Sequence, residues 1–169
     1  MINNVVCRTN LNICIDLRIL TYKIHNIVYN PAKFSGVQWK NRKIGGHCML
    51  FSSGQMLVNG KTNSIFEGKR RLRRYARLLQ RLGWAVKPYH IDVVTVSASY
   101  KLDGFVDLRK VSSYYSGSYE PELFPAVRFT KDSIHFTCFH SGSFLMTGIK
   151  NCSQLYDVCM PVLIEIPLL

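Results

Sequence analysis

A chain of 169 residues, 47% hydrophobic, holds enough apolar side chain for a folded core and has no stretch polar enough to read as disordered. Its 22 Lys and Arg against 10 acids give a formal charge of +12, which points to a polyanionic partner, nucleic acid before an anionic membrane. No charged segment followed by an apolar one opens the chain, and the apolar run 160–169 is too short to span a bilayer, so an intracellular protein without a membrane anchor is expected.

In chain order, residues 4–9 read as a strand. Asp16 caps a helical stretch over 17–25, and Asn30-Pro31 breaks the chain after it. Strand-like runs follow at 35–40, 47–51 and 55–59, with turns at Gly45-Gly46 and Ser53-Gly54. Ser64-x-x-Glu67 has the form of a capping box. The helix it opens places Leu72, Tyr75, Ala76, Leu79 and Leu82 at helical spacing and ends at Gly83. Its other faces carry Lys69, Arg70, Arg71, Arg73, Arg74, Arg77 and Arg81. The second part runs strand 89–100, a short helix after Asp107, strands 127–131, 134–139 and 144–147, and a last helix 153–160 stopped by Pro161.

Two stretches repeat each other. Tyr29-x-Pro31-x-x-Phe34-x-x-Val37 returns as Tyr119-x-Pro121-x-x-Phe124-x-x-Val127, 90 residues on. Phe51-x-Ser53-Gly54 with Gly60-x-x-Asn63 returns 88 residues on as Phe139-x-Ser141-Gly142 with Gly148-x-x-Asn151. Asp16-Leu17-Arg18 is echoed by Asp107-Leu108-Arg109. A long period used twice indicates one duplicated supersecondary unit, with repeats over 1–84 and 85–169. Two similar halves of basic character suit a pseudo-twofold polyanion, the DNA duplex.

These motifs, with Asn4-Val5-Val6, Arg74-Tyr75-Ala76-Arg77-Leu78-Leu79-Gln80-Arg81-Leu82-Gly83 and Ser118-Tyr119-Glu120-Pro121-Glu122-Leu123-Phe124-Pro125, resemble the core of the TATA-box-binding protein family over essentially the whole chain. The resemblance implies an α+β fold: two pseudo-symmetric repeats forming one curved antiparallel β-sheet, a saddle with helices on its convex face. It implies a transcription initiation factor in the nucleus that binds and bends A/T-rich promoter DNA through the minor groove. Phe34 with Phe51, and Phe124 with Phe139, match the family's wedging pairs; a flat apolar ring replaces lost base stacking without needing hydrogen bonds.

At the centre of the site the family reads the groove with an Asn and a Thr from each half. Asn4 and Thr147 match, Asn59 stands at a Thr position and Val93 at an Asn position. Val6 matches an apolar groove contact whose second-half counterpart is Thr95. Lys33 and Lys40 match phosphate-facing positions, and Glu120, Glu122 and Leu123 match the loop offered to transcription factor IIB. Arg74, Arg77 and Arg81 fall on a helix of the convex back, where their charge suits acidic proteins or flanking DNA; transcription factor IIA and TBP-associated factors are further candidate partners.

Catalysis has no support: no phosphate loop, no nucleophile elbow, no cofactor or small-molecule motif. The six cysteines show no C-x-x-C or Cys/His ligand spacing, which argues for buried reduced thiols over a metal site. His135 and His140 are five apart and point to opposite faces of a strand, as surface or groove-rim residues. An enzyme carrying the same sheet would need a catalytic domain that 169 residues do not accommodate. The alternative is a divergent paralogue with relaxed sequence preference that acts mainly as a docking platform for partners.

Overall fold

The structure, a computed structural model, describes Met1–Leu169. It comprises two compact units, Asn4–Val94 and Thr95–Leu169 together with Met1–Asn3. Two long strands, β1 (Ile2–Asn10) and β6 (Asp92–Lys101), are each divided between the units.

The first unit holds α1 (Leu17–Lys23), β2 (Ile27–Tyr29), β3 (Val37–Trp39), β4 (His47–Leu50), β5 (Gln55–Asn59) and α2 (Ile65–Arg81). Its strands pair antiparallel in the order β2-β3-β4-β5-β1. β2 goes beyond the sequence expectation: three residues are too few to show an alternation, and pairing with β3 defines it. In the sheet, Val5, Cys7, Val37, Trp39, Cys48, Leu50, Met56 and Val58 are buried, while the residues alternating with them inside each strand are not. This period of two gives each strand one core face. The core face meets Leu72, Tyr75, Ala76 and Leu79 of α2, with Trp39 and Tyr75 edge to face at 4.9 Å.

Helix α2 begins differently from a reciprocal capping box. Ser64 accepts from the Phe66 amide at 3.2 Å, but the Ser64 amide donates to the Thr62 hydroxyl instead of to Glu67. Glu67 is released to pair with Arg70 at 3.5 Å and Arg71 at 3.4 Å. At the other end Gly83 N–H donates to Gln80 O and Trp84 N–H to Leu79 O, the paired bonds of a Schellman stop, with Gly83 at φ +99°.

The second unit holds α3 (Leu108–Tyr115), β7 (Ala126–Lys131), β8 (Ile134–Phe139), β9 (Ser143–Ile149) and α4 (Met160–Glu165), with strand order β6-β9-β8-β7. The duplicated Asp-Leu-Arg triplets begin equivalent helices. Asp16 accepts from Arg18 and Ile19 amides, and Asp107 from Arg109 and Lys110 amides. Those amide donors, first that of Lys110, hold the Asp107 carboxyl below its ordinary range. Tyr115, Phe129 and Phe136 stack successively at 4.4 and 5.0 Å, and the Tyr115 hydroxyl donates to Glu165 at 3.1 Å.

Pro161 does not stop the last helix. A π-type turn at Leu155–Cys159 leads without a break into α4, of which Pro161 is the second residue, so the helical backbone runs through the proline. The cysteines also divide: Cys7, Cys48, Cys138 and Cys159 are buried as expected, but Cys14 and Cys152 lie in exposed connections. Burial pushes the Cys138 thiol up to about 12 and that of Cys159 to about 11. No helix is long and apolar enough to cross a membrane.

Candidate nucleic-acid interface

Each unit leaves one sheet face without helices. In the first, β1 offers Asn4, Val6 and Arg8, β5 Gln55, Leu57 and Asn59, β4 His47 and Met49, and β3 Gln38, none of them buried. Register puts Gln38, Met49, Leu57 and Arg8 in one row. In the second, the equivalent row is Arg128, Thr137, Leu145 and Ser99. The mixture of half-exposed apolar residues with hydroxyls and amides suits a base-pair edge, which is itself flat and sparingly polar.

A phenylalanine pair stands at one end of each face. Phe34 and Phe51 lie 5.5 Å apart, and Phe124 and Phe139 6.0 Å apart, both with ring planes at 61°. The same local bonds set both pairs. Phe34 and Phe124 follow turns closed by their amides on Asn30 O and Glu120 O, each at 2.9 Å. Gly54 and Gly142 close the turns after Phe51 and Phe139, at φ +83° and +81°. Gly36 admits the first pair; a Cβ there would lie 3.0 Å from Phe51 Cδ1 and 3.1 Å from Phe34 Cε1. Ala126 holds the equivalent place in the second unit and is paired with Phe139. All four rings are partly exposed, so they are held by their turns and by each other but are not core.

The polar residues are fixed by backbone donors. Asn4 Oδ1 accepts the Gly60 amide at 2.9 Å, which settles the amide's orientation and leaves its NH2 as a donor pair. In the second unit Thr95 Oγ1 accepts the Gly148 amide at 3.2 Å, leaving the hydroxyl proton to donate. Gly148 is the repeat of Gly60, so the structural counterpart of Asn4 is Thr95, and the sequence pairing of Asn4 with Val93 is two residues out of step. β6 and β9 also slip register by one residue between Val96 and Ala98, opposite Gly148 within β9. Val93 lies two residues before Thr95 and, by alternation, on the same strand face. Asn59 is paired with His47, and Thr147 with His135.

Lys33 and Lys40 are exposed beside Phe34 and after β3. Arg8 is partly occupied by Asp92 at 3.6 Å, and His90 also meets that carboxylate, at 2.9 Å. Glu120, Glu122 and Leu123 are exposed on the turn before Phe124, with Leu123 80% accessible. Arg74, Arg77 and Arg81 are exposed on α2, away from the residues by which that helix packs on its sheet. His140 is less free than a rim residue: its Nδ1 donates to Val106 O at 3.0 Å and its ring stacks on Phe105. The sequence reading did not include Met49, Leu57, Thr137, Leu145 or His47 in this face. Register supplies them, and the 88-residue offset already related Met49 to Thr137 and Leu57 to Leu145.

The architecture defines a duplicated α+β protein in which helices back an antiparallel sheet. The same fold is found in Methanococcus jannaschii TBP, with a TM-score of 0.86 over 96% of this chain and 94% of that one, at 24% identity. A family model described as Transcription factor TFIID (or TATA-binding protein, TBP) matches residues 1–82 and 90–166. The chain belongs to that family, one of transcription factors and not of enzymes. It is 32% identical to the TATA-box-binding protein of Saccharomyces cerevisiae, covering 97% of this chain and 71% of the relative. It is similarly 32% identical to that of Candida albicans, covering 92% and 67%. With the rat TATA box-binding protein-like 2 it shares 31% identity, over 92% of this chain but only 46% of that protein.

Proposed function

We propose that the chain is an initiation factor that binds A/T-rich duplex DNA through the minor groove, bends it, and serves as a docking platform in the nucleus. The carrying observation is the twice-built phenylalanine pair, at the same interplanar angle, closing each bare sheet face. In this reading Phe34, Phe51, Phe124 and Phe139 wedge into base steps, trading stacking between bases for stacking on rings. Asn4, Thr95, Asn59 and Thr147 supply donors to the acceptors that A·T pairs present, and Val6 and Val93 give apolar contact. Lys33 and Lys40 meet phosphates. Glu120, Glu122 and Leu123 dock transcription factor IIB, and Arg74, Arg77 and Arg81 face acidic partners, among them transcription factor IIA and TBP-associated factors.

Relaxed sequence preference is the second reading. What favours it is that Thr95, with a single hydroxyl proton, takes the place whose first-half counterpart is the two-donor amide of Asn4.

Competition on a labelled A/T-rich duplex tests the proposal. A narrow-groove ligand should displace the protein, while major-groove base methylation should have little effect. Log affinity should fall with log salt at a slope of about −0.9 per neutralised phosphate. Equal sensitivity to blockage of both grooves overturns it.

A further inference from the structure

His47 and His135 are repeats of one another, 88 residues apart, the offset that also relates Phe51 to Phe139 and Asn59 to Thr147. Each is exposed on the bare face of its sheet and directly opposite a polar residue proposed to touch bases: His47 across from Asn59, His135 across from Thr147. On its other side His135 is paired with Thr130, whose Oγ1 lies 2.9 Å from His135 Nδ1. The repeat of Thr130, 90 residues earlier, is Lys40. An imidazole therefore stands across from the equivalent polar residue in both units, and in the second a hydroxyl on the neighbouring strand orients it.

The chemistry of that pair is two-sided. A threonine hydroxyl can donate to Nδ1 or accept from it. If it donates, the neutral ring carries its proton on Nε2, which is then a donor. If it accepts, Nδ1 carries the proton and Nε2 is a bare acceptor. Either tautomer keeps the Thr130–His135 bond. The minor groove asks for these two states: A·T pairs show acceptors only, and G·C pairs add the guanine N2 amino donor.

We infer that His135, oriented by Thr130, is a specificity-determining residue that reads an A·T edge as a donor and a G·C edge as an acceptor, with His47 as its counterpart in the other unit. The inference rests on the minor-groove reading above. It means that this face accepts guanine where a purely donating or apolar face rejects it.

The test uses duplexes that differ at one pair, scanned through the site: A·T, G·C, and inosine·C, which keeps the groove acceptors of G·C and lacks the amino group. Wild type should bind the G·C and inosine·C duplexes alike at one position. His135→Lys, whose ammonium donates but cannot accept, should weaken G·C relative to inosine·C there by about tenfold, roughly the worth of one hydrogen bond. His135→Gln, whose amide both donates and accepts, should keep the wild-type ratio. His135→Ala removes one bond from each duplex and should weaken both alike. Unchanged thermal melting checks that the variants are folded. If wild type binds through the minor groove and neither His135→Lys nor His47→Lys alters the ratio, this inference is overturned and the parent reading stands. If wild type shows no minor-groove binding, both are overturned.

Discussion

The guanidinium of Arg128 lies 4.0 Å over the ring of Phe124. The first-unit repeat of Arg128 is Gln38, which carries no charge to cover Phe34. A cation–π contact at an exposed site contributes about 0.5–1 kcal/mol. In the proposed wedging, the second pair would give up a small interaction that the first does not have. The two halves, built from the same bonds, are therefore not energetically equal.

Phe51→Ala and Phe124→Ala should reduce DNA bending far more than they reduce stability. Each ring is partly exposed and contacts its partner edge to face, an arrangement worth about 0.5–1.5 kcal/mol. Truncating a buried ring costs roughly 3–5 kcal/mol, and Phe136, 1% exposed in the stack with Phe129, is the internal comparison. Energy transfer across a doubly labelled duplex reports the bend, and thermal melting the stability. A melting loss at Phe51 or Phe124 as large as that of Phe136→Ala would mark the ring as core.

Two glycines separate crowding from backbone strain. At Gly68, within α2, an added Cβ would lie 2.9 Å from Val5 Cγ1 and 3.2 Å from Cys7 Sγ, so the helix touches its sheet there. Alanine gains about 1 kcal/mol in helix propensity, but overpacking against strand residues costs roughly 1–3 kcal/mol. Gly68→Ala should be destabilising on balance. At Gly83 a Cβ meets nothing within 4 Å, yet φ is +99°. Gly83→Ala should lose about 1–2 kcal/mol through the backbone alone, and Gly83→Asn less, since asparagine tolerates this region better. Denaturant titration of the three variants measures both. Equal losses for the Ala and Asn variants at Gly83 would show that strain is not the cause.

Local chemistry carried much of this fold in the sequence. Asp16 could be read as a cap because a short acceptor stands before an apolar period, its echo Asp107 marked the start of another helix, and Gly83 could be read as a stop. The phenylalanine pairs were legible because the repeat kept turn residues and rings together. What the sequence hid was decided by strand pairing and by backbone adjustments that no residue pattern announces. β2 exists through its pairing with β3, and α4 continues through Pro161 after a widened turn. The equivalence of Asn4 with Thr95 rests on their bonds to Gly60 and Gly148, which no spacing announces, so counting along the chain put Val93 in the place of Thr95.

That shift is testable. Thr95→Asn should place a second amide where Asn4 has its counterpart, and should sharpen discrimination against G·C pairs near the centre of the site. The expected gain is about 1 kcal/mol, the low end for a specific base contact. Val93→Asn should change discrimination less, because Val93 is two residues from the Gly148 amide that would orient the new side chain. Selection of bound sites from random duplexes compares the variants. A larger effect at Val93 would restore the sequence pairing and count against the hydrogen-bond equivalence.

Glu122 and Leu123 sit on the turn whose last residue is Phe124, closed by the Phe124 amide on Glu120 O. The proposed docking loop and the proposed wedge therefore share the five residues Glu120–Phe124. Carboxylates at Glu120 and Glu122 would repel phosphate, so beside a ring proposed to face DNA they suit the proposed docking of a basic protein surface at that flank. Glu122→Arg should leave affinity for naked duplex equal or slightly higher, because it removes a like charge and adds an opposite one. The same substitution should abolish the ternary complex with transcription factor IIB, since it sets like charges against each other at a specific contact. Leu123→Ala, which removes an exposed apolar side chain without altering charge, should weaken the ternary complex and leave the salt dependence of DNA binding unchanged. Mobility-shift titrations with and without the factor read both effects. A ternary complex that survives Glu122→Arg would show that this chain keeps the acidic turn without using it for docking.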